Sequence, residues 1–131
     1  MVRAVFLSVV MTVVTLTATL AAASNIASAQ PIDTYRARLS KQDHYNSSGE
    51  ALITAAAIIR QDRANFFIFG KLDPEDEFDV YFSDKGNRAR LEKMLIRGSI
   101  SDKDLDSILN GTPLIRVDIH TDYVVVTVEE H

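Results

Sequence analysis

The first 29 residues constrain this chain most, because they cannot form part of a water-soluble core: Arg3 is their only charge, and Ala4 to Ala23 is apolar or hydroxylated throughout. A positive start, an apolar run and small residues at Ala27 and Ala29 make the pattern of a secretory signal cleaved after Ala29, with Gln30-Pro31 at the new N-terminus. The competing reading is a retained signal anchor, since the run is long enough to span a bilayer at about 1.5 Å of rise per residue. Thr12, Thr15, Thr17 and Thr19 weaken it as a permanent span. The chain has no cysteine, which removes a lipid anchor at the cleavage site and a disulfide scaffold together. An exported domain folding on its hydrophobic core alone points to a bacterial source, so the expected location is periplasmic or secreted.

Setting the signal aside changes the composition. The whole chain is 47% hydrophobic with a formal charge of −4, whereas residues 30–131 are less apolar and carry −5. A chain of this size builds one core, which excludes a multi-domain architecture and a multi-span membrane protein. The acidic balance and scattered basic residues exclude nucleic acid as a partner. With no glycine-rich phosphate loop, zinc ligand set or thiol redox motif in the sequence, no cofactor is expected.

Patterning divides the exported part into a polar N-terminal arm, 30–46, and an α+β domain, 47–131. The arm holds Tyr35, Leu39 and Tyr45 as isolated anchors and reads as a loose segment or short edge strand. Ser47 and Glu50 have the spacing of a capping box, which predicts the start of a long central helix. Leu52, Ala55, Ala56, Ile59 and Phe66 supply its apolar face, and Gly70 its stop. A second helix is expected near Asp84, with Leu91, Met94 and Leu95 inward and Arg88, Arg90, Glu92 and Lys93 outward. A third, short helix follows Ser101. Ile115, Val117 and Ile119 alternate with polar residues, and Tyr123 to Val128 is an unbroken run of β-formers, which predicts an antiparallel C-terminal hairpin. A two-stranded ribbon is marginal alone. It must pack on the helices, recruit a strand from residues 32–39, or pair with a second copy as a homo-oligomer.

Candidate chemistry lies in four places. Asp43-His44, followed by Ser47 and Ser48, has the residue types of an acyl-transfer site, although a capping role already uses the hydroxyls. The acidic connector after Gly70 offers Asp73, Glu75, Glu77 and Asp84 as hard oxygen ligands for calcium, but Phe78 stands where the calcium loop needs glycine. Arg63 falls on the core face of the central helix and calls for a carboxylate from that connector, as a structural clamp; the functional alternative is an anion-binding arginine. Phe67, Phe69 and Phe78 belong to an aromatic cluster that a regular helix cannot bury completely, which makes them candidates for partner binding.

The expected function is that of a small exported protein that is non-catalytic and acts through contacts with a protein or small-molecule partner, touching a membrane only through an uncleaved signal. The alternatives are a small exported hydrolase using His44 with a nearby carboxylate, and a calcium- or anion-binding envelope protein.

Overall fold

The computed structural model describes residues 29–131, so the expected signal segment, apart from Ala29, lies outside the described residues. The described chain is an α+β domain with four helices and one three-stranded antiparallel sheet. Strand β1 (Asp33–Arg38) comes from the arm and joins one edge of the hairpin formed by β2 (Leu114–Ile119) and β3 (Val124–Glu130), in the order β1-β2-β3. The arm is therefore part of the domain. Recruiting it answers the hairpin's need for a third strand, because Tyr35 and Ala37 then bury beside Val117 and Ile115 on one sheet face.

Register follows the period-2 pattern. Tyr35, Val117 and Val126 stand in one cross-strand row, and Ile119 and Val124 in another, all on the face that packs against the helices. The opposite face carries Arg36, Arg38 and Arg116, tied to Glu129, Glu130 and Asp118. The core between sheet and helices includes Ile58, Ile59, Phe82, Leu91, Met94 and Ile108.

The central helix begins later than its capping box suggests. α1 spans Ala55–Ala64, capped by Thr54, whose hydroxyl accepts from the Ala57 amide at 3.2 Å. Ser47 and Glu50 lie instead in a tight loop governed by Asn46, whose side-chain oxygen accepts from the Ser48 amide (3.0 Å) and the Glu50 amide (2.9 Å). Tyr45 and Ala51 pair across this loop as an isolated bridge. A local side-chain acceptor one residue upstream of the expected cap thus outcompeted the helix start.

Beyond Ala64 the helix widens into a π turn over Asn65–Phe69, and both Gly70 and Lys71 donate their amides to the Asn65 carbonyl. Gly70 closes it at φ 62°, a left-handed conformation that costs glycine nothing. The expected second helix is split into α2 (Lys85–Ala89, capped by Asp84) and α3 (Leu91–Arg97), with Arg90 at the break. Arg88 is buried rather than outward, because its guanidinium donates to the carbonyls of Phe82 (2.6 Å) and Ser83 (3.0 Å). α4 (Asp102–Asn110) starts at Ser101, whose hydroxyl accepts from the Asp104 amide.

Gly98 is demanded by proximity. A Cβ there would stand 1.7 Å from the Val124 carbonyl oxygen. The chain passes that close because Ser99 pairs with the outer edge of β3, donating to Val124 and accepting from Val126. Asp104 then accepts from the Val128 amide at 3.2 Å. The Val124 carbonyl and the Val126 and Val128 amides on the outer edge of β3 are thus used within the chain.

Candidate functional site

Two built environments flank the end of α1. The inner one centres on Arg63, which is fully buried. Its Nε donates to Asp62 at 2.8 Å and its Nη1 to Asp79 at 3.0 Å and to the Glu77 carbonyl at 2.9 Å. The guanidinium lies 3.9 Å from the centroid of the Tyr35 ring and 4.7 Å from that of Phe66. A cation so enclosed keeps its charge only because anions and ring faces replace its hydration. Burial outweighs that attraction at the carboxylates: Asp62 is pushed up to about 8, and Asp79 and Asp43 are raised from the ordinary carboxylate range for the same reason. Arg63 has no exposed surface through which an external anion could reach it, and its Nη2 is buried without a hydrogen-bond partner among the described residues.

The acidic connector is explained by the same region. Beyond Arg63's hold on Glu77 and Asp79, it lies along the free edge of β1. Glu77 accepts from the Arg36 amide at 2.7 Å and donates its own amide to the Arg36 carbonyl, and Asp76 accepts from the Arg38 amide at 2.9 Å. These carboxylates do for an exposed strand edge what a neighbouring strand would do. The four calcium candidates are dispersed accordingly. Glu75 pairs with Arg38 at 3.1 Å, Glu77 caps the β1 edge, Asp84 caps α2, and Asp73 donates its amide to Asp76. Among the described residues, no three acids or histidines converge as a metal site.

His44 and Asp43 also part company. The ring nitrogens of His44 face two backbone carbonyls, Ser40 through Nδ1 and Ile108 through Nε2, each at 2.9 Å. It therefore ties the 3-10 turn at Lys41–His44 to the last turn of α4. Asp43 points elsewhere, accepting from the Ser40 amide and hydroxyl and from Asn65 Nδ2 at 2.8 Å. The acid or hydroxyl that a catalytic histidine needs within about 3 Å is replaced by carbonyls.

The outer environment is a cleft between the Asn46 loop and the π turn. A hydrogen-bonded chain forms its floor: Gln61 Nε2 donates to Asn65 Oδ1 at 2.9 Å, and buried Asn65 donates onward to Asp43. Tyr45 and Phe69 present exposed rings on its walls, and Lys71 stands beside Phe69 with its ammonium 5.9 Å from the ring centroid. The hollow measures about 350 Å³, and among the described residues no carboxylate lines it. It adjoins a second hollow of about 410 Å³ over the outer face of α1, with Asn46, Ser47, Gln61 and Phe69 shared between the two and Arg60 on the second wall.

The chain has no significant match among protein-family models, curated proteins or solved structures.

Of the three candidate aromatics, the structure separates one from the other two. Phe67 is half-buried, edge-to-face with Phe66 at 4.9 Å and with exposed Phe78 at 5.6 Å, on the side of Arg63. Phe69 lies on the cleft with no ring contact to either. The π turn accounts for the division: Phe66 and Phe67 turn toward Arg63, whereas Ile68 and Phe69 emerge into solvent. Sequence reasoning missed the Asn46 loop, Gln61 and Lys71. Asn46 before Ser-Ser-Gly carried a turn signal, but Gln61 and Lys71 had no distinguishing pattern.

Proposed function

We propose that this protein is exported and works by binding, without catalysis, through the cleft beside the π turn. The observation that carries the reading is the convergence there of two exposed aromatic rings, Tyr45 and Phe69, with polar groups, over a floor held rigid by the Gln61–Asn65–Asp43 chain. A concave site with aromatic walls and a few converging polar groups is the usual form of a ligand site. Export is supported by the N-terminal pattern of Arg3, the apolar run and Ala27-Ser28-Ala29.

The test has two parts. N-terminal sequencing of protein made in its own host is expected to begin at Gln30. The same protein, mixed with sedimentable envelope material from that host, is expected to pellet with it, and Phe69→Ala to stay in the supernatant while Phe78→Ala still pellets. Wild-type protein that stays soluble in this assay overturns the reading.

A further inference from the structure

The ring of His44 stands between two acceptors. Its Nδ1 lies 2.9 Å from the Ser40 carbonyl oxygen and its Nε2 2.9 Å from that of Ile108. A carbonyl oxygen only accepts, and a neutral imidazole has a single N–H, so a neutral ring satisfies one contact and turns a nitrogen lone pair on the other oxygen. The imidazolium, with two N–H groups, satisfies both. The position favours the cation a second time, because Ile108 belongs to the last turn of α4, where carbonyls lack partners along the helix and the backbone dipoles leave partial negative charge.

The surrounding charges are otherwise engaged or exposed. Lys41 and Tyr45 line the hollow beside the ring, with Leu52, Asn110 and Thr112 on its other walls. Asp43, the next residue in the chain, turns to Ser40 and Asn65, and on α4 Asp106 accepts from Asn110 Nδ2 at 2.8 Å. No carboxylate among the described residues pairs with His44. The two carbonyls are therefore the groups whose bonding changes when the ring gains or loses its second proton.

The turn that His44 fastens also carries the cleft. Asp43 ends the Gln61–Asn65–Asp43 chain of the floor, Tyr45 stands on the wall, and the His44 carbonyl accepts from the Leu52 amide at 2.8 Å at the neck of the Asn46 loop.

We infer that His44 is a proton-operated tie that keeps the cleft in shape: with both ring nitrogens protonated it fastens the Lys41–His44 turn to the end of α4, and loss of one proton frees one of the two carbonyls. A histidine side chain ordinarily changes charge between about pH 5 and 8, so the tie is complete in acid and weakens toward neutral and alkaline pH. The effect on ligand binding rests on the binding reading above; the tie itself does not.

The experiment records side-chain NMR of the exported protein, labelled with ¹³C and ¹⁵N and expressed from its full coding sequence. At pH 5.5 both ring nitrogens of His44 are expected to carry protons and to show scalar couplings to the carbonyl carbons of Ser40 and Ile108. At pH 8 one coupling is expected to vanish. Hydrogen exchange of the Leu52 and Gly111 amides, corrected for its intrinsic pH dependence, is expected to quicken about tenfold, the worth of one hydrogen bond to a charged group. His44→Gln, whose amide does not titrate, is expected to lose this response, and Asp62→Asn to keep it. No coupling at pH 5.5, the same couplings at both pH values, or an unaltered response in His44→Gln overturns the inference, and the couplings are read on the wild type whether or not the variant folds. In the envelope assay, retention is expected to be several-fold greater at pH 5.5 than at pH 8, and His44→Gln to remove the difference. Switching couplings with retention that ignores pH overturns the tie's hold on the cleft; switching couplings with no retention at either pH overturns the binding reading and leaves the tie.

Discussion

On one side of the π turn Arg63 is enclosed by Asp62, Asp79 and the rings of Tyr35 and Phe66; on the other, Lys71 stands beside Phe69 with no carboxylate within salt-bridge distance among the described residues. Both cations follow from the same stretch of chain, and the difference lies in what surrounds them. Around Arg63 the protein supplies the counter-charges itself, so the group holds the connector in place and offers nothing to a ligand. Lys71 is exposed, so its charge faces solvent. Charge that is spent on folding and charge that is open to binding are therefore distinguishable by burial and partnership, though not by residue type.

Removing the enclosed cation should have the largest effect. Arg63→Met leaves the buried acids Asp62 and Asp79 without the donor they share, which costs about 3–5 kcal/mol of unfolding free energy. Urea denaturation at pH 7 measures it, and a loss below about 1 kcal/mol would show that the clamp does not hold the connector.

The same region sets the pH dependence. Asp62 is raised to about 8 against 3.8 for an ordinary aspartate, so the folded protein keeps a proton that the unfolded chain releases. The stability tied to this group is fully present below pH 3.8, falls as pH rises through the window, and is gone above about 8. The slope reaches up to about 1.4 kcal/mol per pH unit. Asp43 and Asp79, raised by burial, act in the same direction. Denaturation midpoints at pH 5, 6, 7 and 8 should decline for the wild type and change much less for Asp62→Asn; a midpoint that rises across this range contradicts the enclosed carboxylates.

Asp76→Ala strips the β1 edge of a cap and frees the Arg38 and Asp73 amides. A loss of about 1–3 kcal/mol is expected, accompanied by concentration-dependent self-association in sedimentation velocity. Thr54→Ala should cost about 1 kcal/mol as a lost helix cap, whereas Ser47→Ala should stay within about 0.5 kcal/mol. The reverse order would restore Ser47 as the helix start. The smallest effect on stability belongs to the open side: Phe69→Ala should alter unfolding by no more than about 0.5 kcal/mol while removing binding at the cleft.

Much of the fold was legible where local chemistry acts alone. Asp84 and Ser101 cap the helices they were expected to cap, Gly70 ends the central one, and the alternation of Ile115, Val117 and Ile119 places all three in the core. The misreadings occurred where two local signals competed or a distant group intervened. Asn46 took the amides of its own loop from the Ser47–Glu50 box. Arg88 looked outward until the turn at Tyr81–Ser83 brought two carbonyls to it. His44 meets the carbonyls of Ser40 and Ile108, the second of them 64 residues away, a partner that no local pattern signals.

By itself the sequence determined the α+β class, the core-facing alternation of Ile115, Val117 and Ile119 and the presence of an arginine on the core side of the central helix, because periodicity and capping depend on residues within a few positions of one another. Tertiary structure alone decided which carboxylates answer that arginine, that the acidic connector seals a strand edge, and that Tyr45, Gln61, Phe69 and Lys71 share one cleft. Those outcomes depend on where the chain returns in space, with β1 brought against β2 across about eighty residues of sequence, and no local pattern encodes that return.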